Sequence, residues 1–411
     1  MKKILLIGAG IGQINLALKI KERGHFLLVI AYNSLPQVVN IADKFIQHDL
    51  FDYDGVLKIA QSESIDAVIS DQHDIMAPLV AYIAENMELP GNTYATLMSY
   101  CDKNTFRDNC DKIGIPAPKH IKVKKSIIPE EFKNVPYPWI VKPADSQSSV
   151  GVNKVHTDEE CINALISALS YSRSNTAIIE EFFVGKELVA EGFIWNGEYF
   201  NIGYADRKYF KLDNLFIPSQ TIFPSILPQN VLDRIQDYEK AMASYIHPNF
   251  GIVHSEYLYN EDKDEIRIVE SGLRGGGVFI SSHLLPHYSG IDVNDLLLDA
   301  VEGKTIEMNK VLSHKKEKAS AYVCFYLPEG KISSIKGIQE LQELSSVIMI
   351  NLDGIKVGDM TRLIEHKGQR LGPILLVADN VVSLNDEIRK VQSILDIVVE
   401  NNGSRNSIQW E

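Results

Sequence analysis

Near the middle of the chain two acidic residues are set inside otherwise apolar runs: Glu256 in GIVHSEYLY (251–259) and Glu270 in EIRIVES (265–271). The polar stretch NEDKDE separates the runs, so the pattern predicts two antiparallel strands of one hairpin. Two carboxylates brought together in such a setting repel unless a cation bridges them. Mg2+ is the natural bridge, because it takes carboxylate oxygens and shares its shell with phosphates. Period-2 alternation alone would equally allow both acids on a solvated face. Arg274, followed by Gly275-Gly276-Gly277, favours the first reading, since a guanidinium beside a glycine-rich backbone suits a carboxylate or a transferring phosphoryl group. His254 shares a strand face with Glu256; a satisfied structural histidine is its plainer reading, and a substrate contact is the alternative.

Lysines add to this picture. Lys142 directly follows Trp139-Ile140-Val141, and an ammonium on a buried strand is costly unless something anionic meets it. The loop DSQSSVG comes next, with hydroxyls and backbone amides able to wrap oxyanions, although a solvated turn has the same composition. Lys103 lies in a helical stretch. In Ile178–Glu187 two apolar residues lead into Glu180 and Glu181, then aromatics, a glycine turn and Glu187. An edge-like strand of this kind offers backbone groups to an adenine ring, and an acid after the turn could take ribose hydroxyls.

With 411 residues the chain is too long for one core. A net charge of -13 argues against nucleic acid as the main partner. KILLIG, INLALKIKERG and HFLLVIAY read as strand, helix and strand, the start of a doubly wound sheet. Gly8, Gly10 and Gly12 follow the first strand, yet the second ends Ile30-Ala31-Tyr32-Asn33 without the acid a dinucleotide site needs. NAD is therefore not expected. The glycines serve a tight turn and close helix packing, or a loop facing substrate. Residues 93–118 read as mostly helical, 185–223 as paired strands, 229–245 as a helix, and 319 onward as a separate β-rich cap. The four cysteines form no C-x-x-C pair, and the N-terminal apolar run is too short for a leader, so reduced thiols in the cytoplasm are expected. No run of 18 apolar residues is present, so no membrane span is expected.

Taken in order, Lys103, Lys142-Pro143, the serine loop, Glu180…Glu187, Glu256 and Glu270-Ser271-Gly272-Leu273-Arg274 resemble the ATP-grasp superfamily over most of the chain. GIVHSEYLY with IVESGLRGGG is most similar to the branch containing L-amino acid ligases, which in turn resembles biotin carboxylase and carbamoyl-phosphate synthase ATP domains. The resemblance implies an α/β architecture: a pre-ATP-grasp doubly wound domain (1–92), a two-lobed ATP-grasp α+β domain (93–318) with a lid at about 119–188, and a small β-rich C-terminal cap (319–411). It implies an ATP-dependent carboxylate–amine ligase acting through an acyl-phosphate on small-molecule substrates. Lys103, Lys142 and the loop residues Ser146, Ser148, Ser149 and Gly151 would bind ATP phosphates. Glu180, with backbone at Glu181 and Phe183, would hold adenine, and Glu187 the ribose. Arg207 would sit near the γ-phosphate. Glu256 and Glu270 would hold two Mg2+ ions, replaceable by Mn2+, and Arg274 with Lys142 would be catalytic. A homodimer is compatible with the resemblance, and no surface motif specifies one.

Two departures stand out. Gly272 occupies the position where the family commonly has a metal-ligating Asn, and Val150 occupies one where glycine or lysine is frequent. Bicarbonate activation, as in biotin carboxylase, and an ATP-binding module without turnover are the alternative readings.

Overall fold

A computed structural model describes residues 1–411 except 147–149, 213, 214, 353 and 365. The first domain is a parallel sheet in the order β3-β2-β1-β4, formed by β1 (Lys3–Ile7), β2 (Phe26–Ala31), β3 (Lys44–Gln47) and β4 (Ala67–Ile69). β1 and β2 are nearly continuous apolar runs because helices cover both faces. Those helices are α1 (Ile14–Glu22), α2 (Pro36–Ile41), α3 (Tyr53–Glu63) and α4 (Met76–Asn86). β3 and α3 are elements the sequence reading did not place.

The stretch expected to be mostly helical is two helices, α5 (Tyr94–Cys101) and α6 (Lys103–Ile113). Asp102 breaks them: its backbone is extended and its carboxylate accepts from the Thr105 N–H, capping α6. This break puts Lys103 at the first turn of α6, beside the site. The lid is a sheet in the order β5-β8-β6-β7, from β5 (His120–Val123), β6 (Trp139–Pro143), β7 (Asn153–Val155) and β8 (Ala177–Glu181), covered by α7 (Asp158–Tyr171).

β9 (Lys186–Trp195), β10 (Glu198–Tyr209), β11 (Pro218–Phe223), β12 (Phe250–Asn260) and β13 (Glu265–Gly272) form the other lobe, backed by α8 (Gln229–Ile246). After α9 (Leu285–Ser289), α10 (Val293–Val301) returns to the first domain. There Arg23 of α1 meets Asp295 at 2.9 Å, Asp299 at 2.6 Å and Glu302 at 2.8 Å, while Lys19 reaches Asp292 and Asp295, both at 2.8 Å. The remaining strands are β14 (Ala319–Phe325), β15 (Gly330–Lys336), β16 (Val347–Ile350), β17 (Met360–Thr361), β18 (Leu371–Ala378), β19 (Asp396–Asn401) and β20 (Ser404–Ser407). The segment expected as a separate cap is not wholly separate. β14 pairs with β11, giving an eight-stranded sheet ordered β13-β12-β9-β10-β11-β14-β18-β16. β11 is buried along its length, its polar Ser219, Gln220 and Thr221 included, and β14 covers what would otherwise be its open edge. Among the described residues all four cysteines are free, and no helix is long and apolar enough to cross a membrane.

Candidate active site

In the β12–β13 hairpin Glu256 is the direct cross-strand partner of Glu270, with a bulge immediately after Glu256. Paired residues of an antiparallel ladder point to one face, so the acids expected to converge share a face of the sheet. Their surroundings differ. Glu256 is buried, whereas the Glu270 side chain keeps 37% of its surface, with its Oε2 3.9 Å from the Lys103 ammonium.

Arg207 of β10 bridges Glu256 and Glu187, the latter at 2.7 Å, and the Tyr209 hydroxyl donates to Glu187. Burial alone would push both carboxyls up. At Glu256 the Arg207 guanidinium overrides burial and holds the group well below the usual carboxylate range. At Glu187 burial wins and the group is raised. His254 contacts Glu191 through Nδ1, and its Nε2 lies 3.4 Å from Glu256 Oε1. Burial disfavours the imidazolium, but the Glu191 carboxylate outweighs it and raises the pKa.

A second buried cluster holds Lys142. Glu180 Oε2 lies 2.7 Å from the Lys142 ammonium, and Glu180 Oε1 accepts from Arg107 Nε at 2.7 Å. Lys142, Glu180 and Arg107 are 5%, 3% and 1% exposed. Burial would raise Glu180, yet the two cations pull it down to about 2. This revises the adenine assignment: the Glu180 carboxylate is committed to two cations and acts on the site by fixing Lys142. β8 is also an interior strand of the lid sheet, not an edge, and the Glu181 N–H already donates to the Lys119 carbonyl at 2.8 Å. Phe183 lies beyond the strand end, and Glu181 and Phe183 both line the larger cavity of the site. Ser148 and Ser149 lie outside the described residues. Ser146 is described, and its carbonyl accepts from Lys103 Nζ at 2.7 Å. Gly151 turns the loop at φ +74°, a conformation glycine adopts at little cost.

Two cavities meet at these residues. One, of about 540 Å3, lies between the lid and the β9–β13 lobe. Lys142, Glu187, Arg207, Glu256 and Lys367 line it, with an apolar wall that includes Ile140, Phe182, Phe183 and Leu212. The other, of about 350 Å3, lies between the first domain, α5, α6 and β13, and holds Asp74, His254, Arg274 and several aromatic rings. Lys103, Ser146 and Glu270 line both. A cavity that combines an apolar wall with charged groups suits a nucleotide base and its phosphates.

Arg274 is held by a residue the sequence reading missed. Asp74, in the loop after β4, takes the guanidinium as a fork, with Nε–Oδ1 2.7 Å and Nη2–Oδ2 3.0 Å. Asp71 of the same loop is buried and accepts from the Gly275 N–H at 3.1 Å and the Ser281 hydroxyl at 2.7 Å. The missed signal was the DQHD run (71–74) directly after a buried parallel strand, where ligand-facing loops of α/β sheets lie. The same contact bears on Gly272: a Cβ there would come 2.8 Å from Asp74 Oδ1, so a side chain at this position would have to displace the Asp74 carboxylate. Arg107, Glu191 and Lys367 were likewise missed, because their partners are remote in sequence.

Residues 110–266 match the family described as D-ala D-ala ligase C-terminus. The carbamoyl phosphate synthase large chain of Clostridium beijerinckii is 24% identical over 333 residues, covering 74% of this chain and 30% of that protein. The chain thus spans about a third of the length of the curated relatives it matches. Among solved structures, the L-amino acid ligase from Bacillus licheniformis superposes with a TM-score of 0.83 at 18% identity, covering 98% of this chain and 99% of that one. The biotin carboxylase domain of the Hydrogenobacter thermophilus 2-oxoglutarate carboxylase, described as a dimer in complex with MgADP and bicarbonate, gives 0.74 at 14%, covering 99% and 91%. The chain is therefore an ATP-grasp protein in fold. It is similar to amino acid ligase, biotin carboxylase and carbamoyl phosphate synthase proteins.

Proposed function

We propose that this protein is an ATP-dependent carboxylate–amine ligase that phosphorylates a small-molecule acid and couples it to an amine, releasing ADP and phosphate. The observation that carries this reading is the meeting of the two cavities at Lys103 and Glu270, with Glu256 opposite Glu270 and Arg274 on the other side. A nucleotide in the larger cavity would present its terminal phosphate to an acid in the smaller one.

The donor set fits Mg2+, with Mn2+ as a substitute: two facing carboxylates supply hard oxygens, and Gly272 supplies none, which leaves the other positions to phosphate and water. Bound there, one or two such ions would neutralise charge on the transferring phosphoryl group. Lys142, fixed by Glu180, and Lys103, tied to the loop carbonyl of Ser146, would bind phosphate oxygens. Arg274, held at the angle set by Asp74, would take the carboxylate and then stabilise the acyl-phosphate. Closure of the lid over the junction would exclude water, which would otherwise hydrolyse that intermediate.

In a phosphate-release screen of amino-acid pairs with Mg-ATP, wild-type protein is expected to give amine-dependent ADP and phosphate. Glu270→Ala is expected to lose at least about 100-fold of that rate while keeping its melting temperature, because the side chain is half-exposed. Undiminished turnover in Glu270→Ala would remove the metal assignment. Bicarbonate-dependent ATPase with no amine dependence would replace ligation by carboxylation. ATP binding without turnover on any pair would leave only a binding module.

A further inference from the structure

One cation on the wall of the larger cavity has no part in the chemistry above, and it comes from the C-terminal cap. The connection between β16 and β18 brings Lys367 to the cavity that Lys142, Glu187, Arg207 and Glu256 also line. The backbone is anchored on both sides of it. Before Lys367, Ile364 is buried in the core with Phe210 and Ile217. After it, Arg370 Nη1 donates to the Pro218 carbonyl of β11 at 3.0 Å, and the guanidinium lies over the Tyr322 ring of β14. Between these anchors the short 3-10 turn Lys367–Gln369 is closed by His366. The His366 imidazole accepts from the Gly368 N–H at 3.2 Å, and the His366 N–H donates to the Gln369 side-chain oxygen at 3.2 Å.

Lys367 is half-buried, and among the described residues its ammonium has no hydrogen-bond or ion-pair partner. The other cations on this wall are already paired: Lys142 with Glu180, Arg207 with Glu187 and Glu256, Lys186 with Glu261, and Lys103 with the Ser146 carbonyl. The charge of Lys367 is nevertheless felt in the same corner, where it favours the ionised form of both Glu187 and Glu256. Two carboxylates share the single Arg207 guanidinium there. Without Lys367 the corner would repel an incoming polyphosphate. A half-buried ammonium left without a partner, on a backbone fixed at both ends, is complementary to an anion brought into the cavity.

Resting on the reading of this cavity as the nucleotide site, we propose that Lys367 is a nucleotide-binding residue whose ammonium takes a phosphate oxygen of the bound nucleotide. The cap then completes the ATP site together with the two lobes. Arg207 was the residue expected near the terminal phosphate, but two carboxylates hold it. Lys367 supplies the uncommitted positive charge on that side of the cavity.

The test is calorimetric titration of the whole chain with MgADP and with adenosine, for wild type, Lys367→Ala and Lys367→Arg. Lys367→Ala should weaken MgADP binding roughly 5- to 30-fold, the effect of a charge-assisted contact partly screened by solvent, and leave adenosine within about 2-fold. Lys367→Arg should recover most of the MgADP affinity, since the charge returns. The gap between wild type and Lys367→Ala should narrow as salt is raised towards about 1 M. Without nucleotide all three proteins should melt at the same temperature, because the ammonium has no partner to lose. Unchanged MgADP affinity in Lys367→Ala overturns this inference and leaves the ligase reading standing. Equal losses for MgADP and adenosine, with a lowered melting temperature, make Lys367 a structural residue and also overturn it. No binding of MgADP by wild type overturns the nucleotide reading of the cavity and this inference with it.

Discussion

Replacing Glu180 by Gln should cost the protein much of its stability and its hold on ATP, although no role in the chemical step is assigned to the residue. Arg107 and Lys142 approach the same carboxylate at 2.7 Å, and all three side chains are withdrawn from water. The magnitude can be worked in two ways. Removing one member of a buried ionic cluster strands the others and costs roughly 3–5 kcal/mol. Independently, the Glu180 carboxyl lies at about 2 against an ordinary 4.5, which at 1.36 kcal/mol per unit is roughly 3 kcal/mol. Because the folded value is depressed, this stabilisation is present above pH 4.5 and is lost as pH falls towards 2. Burial depresses Lys142 despite its carboxylate partner, which subtracts from the total and favours the lower figure. Urea unfolding of wild type and Glu180→Gln at pH 7 should differ by about 2–3 kcal/mol, with the difference shrinking at pH 3. ATP affinity by calorimetry should fall in parallel, since the Lys142 ammonium loses its anchor. A variant within about 0.5 kcal/mol of wild type, binding ATP normally, would refute the idea that this cluster fixes Lys142.

Two further expectations follow from the same structure. Gly272→Asn, which introduces the residue that the resemblance leads one to expect there, should lower turnover, because its Cβ would press on Asp74 Oδ1 and tilt the Arg274 fork; a gain in Mg2+ affinity with faster turnover would contradict this. Glu239 is buried under β12, accepts from the Tyr257 hydroxyl at 2.6 Å, and is pushed up to about 7 by burial. As a carboxyl with a raised folded value, it loses stability as pH rises from 4.5 towards 7. Glu239→Gln should therefore be more stable than wild type at pH 8 by about 1–3 kcal/mol and equal to it at pH 4, in denaturant titrations at the two pH values.

The N-terminal strand–helix–strand, the paired strands of 185–223 and the β12–β13 hairpin were legible because each rests on local periodicity and on turns a few residues long. The facing of Glu256 and Glu270 belongs to this class, since a short polar turn and period-2 strands nearly dictate it. The cap was misread as a separate unit because β14 looks the same alone as when it extends a sheet. The strand it joins, β11, ends about a hundred residues earlier.

What the sequence by itself determined is the stock of charge placed in apolar strands and the order in which it comes. Which cation meets which carboxylate was decided only by the tertiary structure. Arg107 reaches Glu180 across 73 residues, Arg274 reaches Asp74 across 200, and Arg207 falls between Glu187 and Glu256 because β9 lies between β10 and β12. Local pattern shows that a buried charge must find a partner. Sheet order and domain packing, which bring remote segments within a few ångströms, select it.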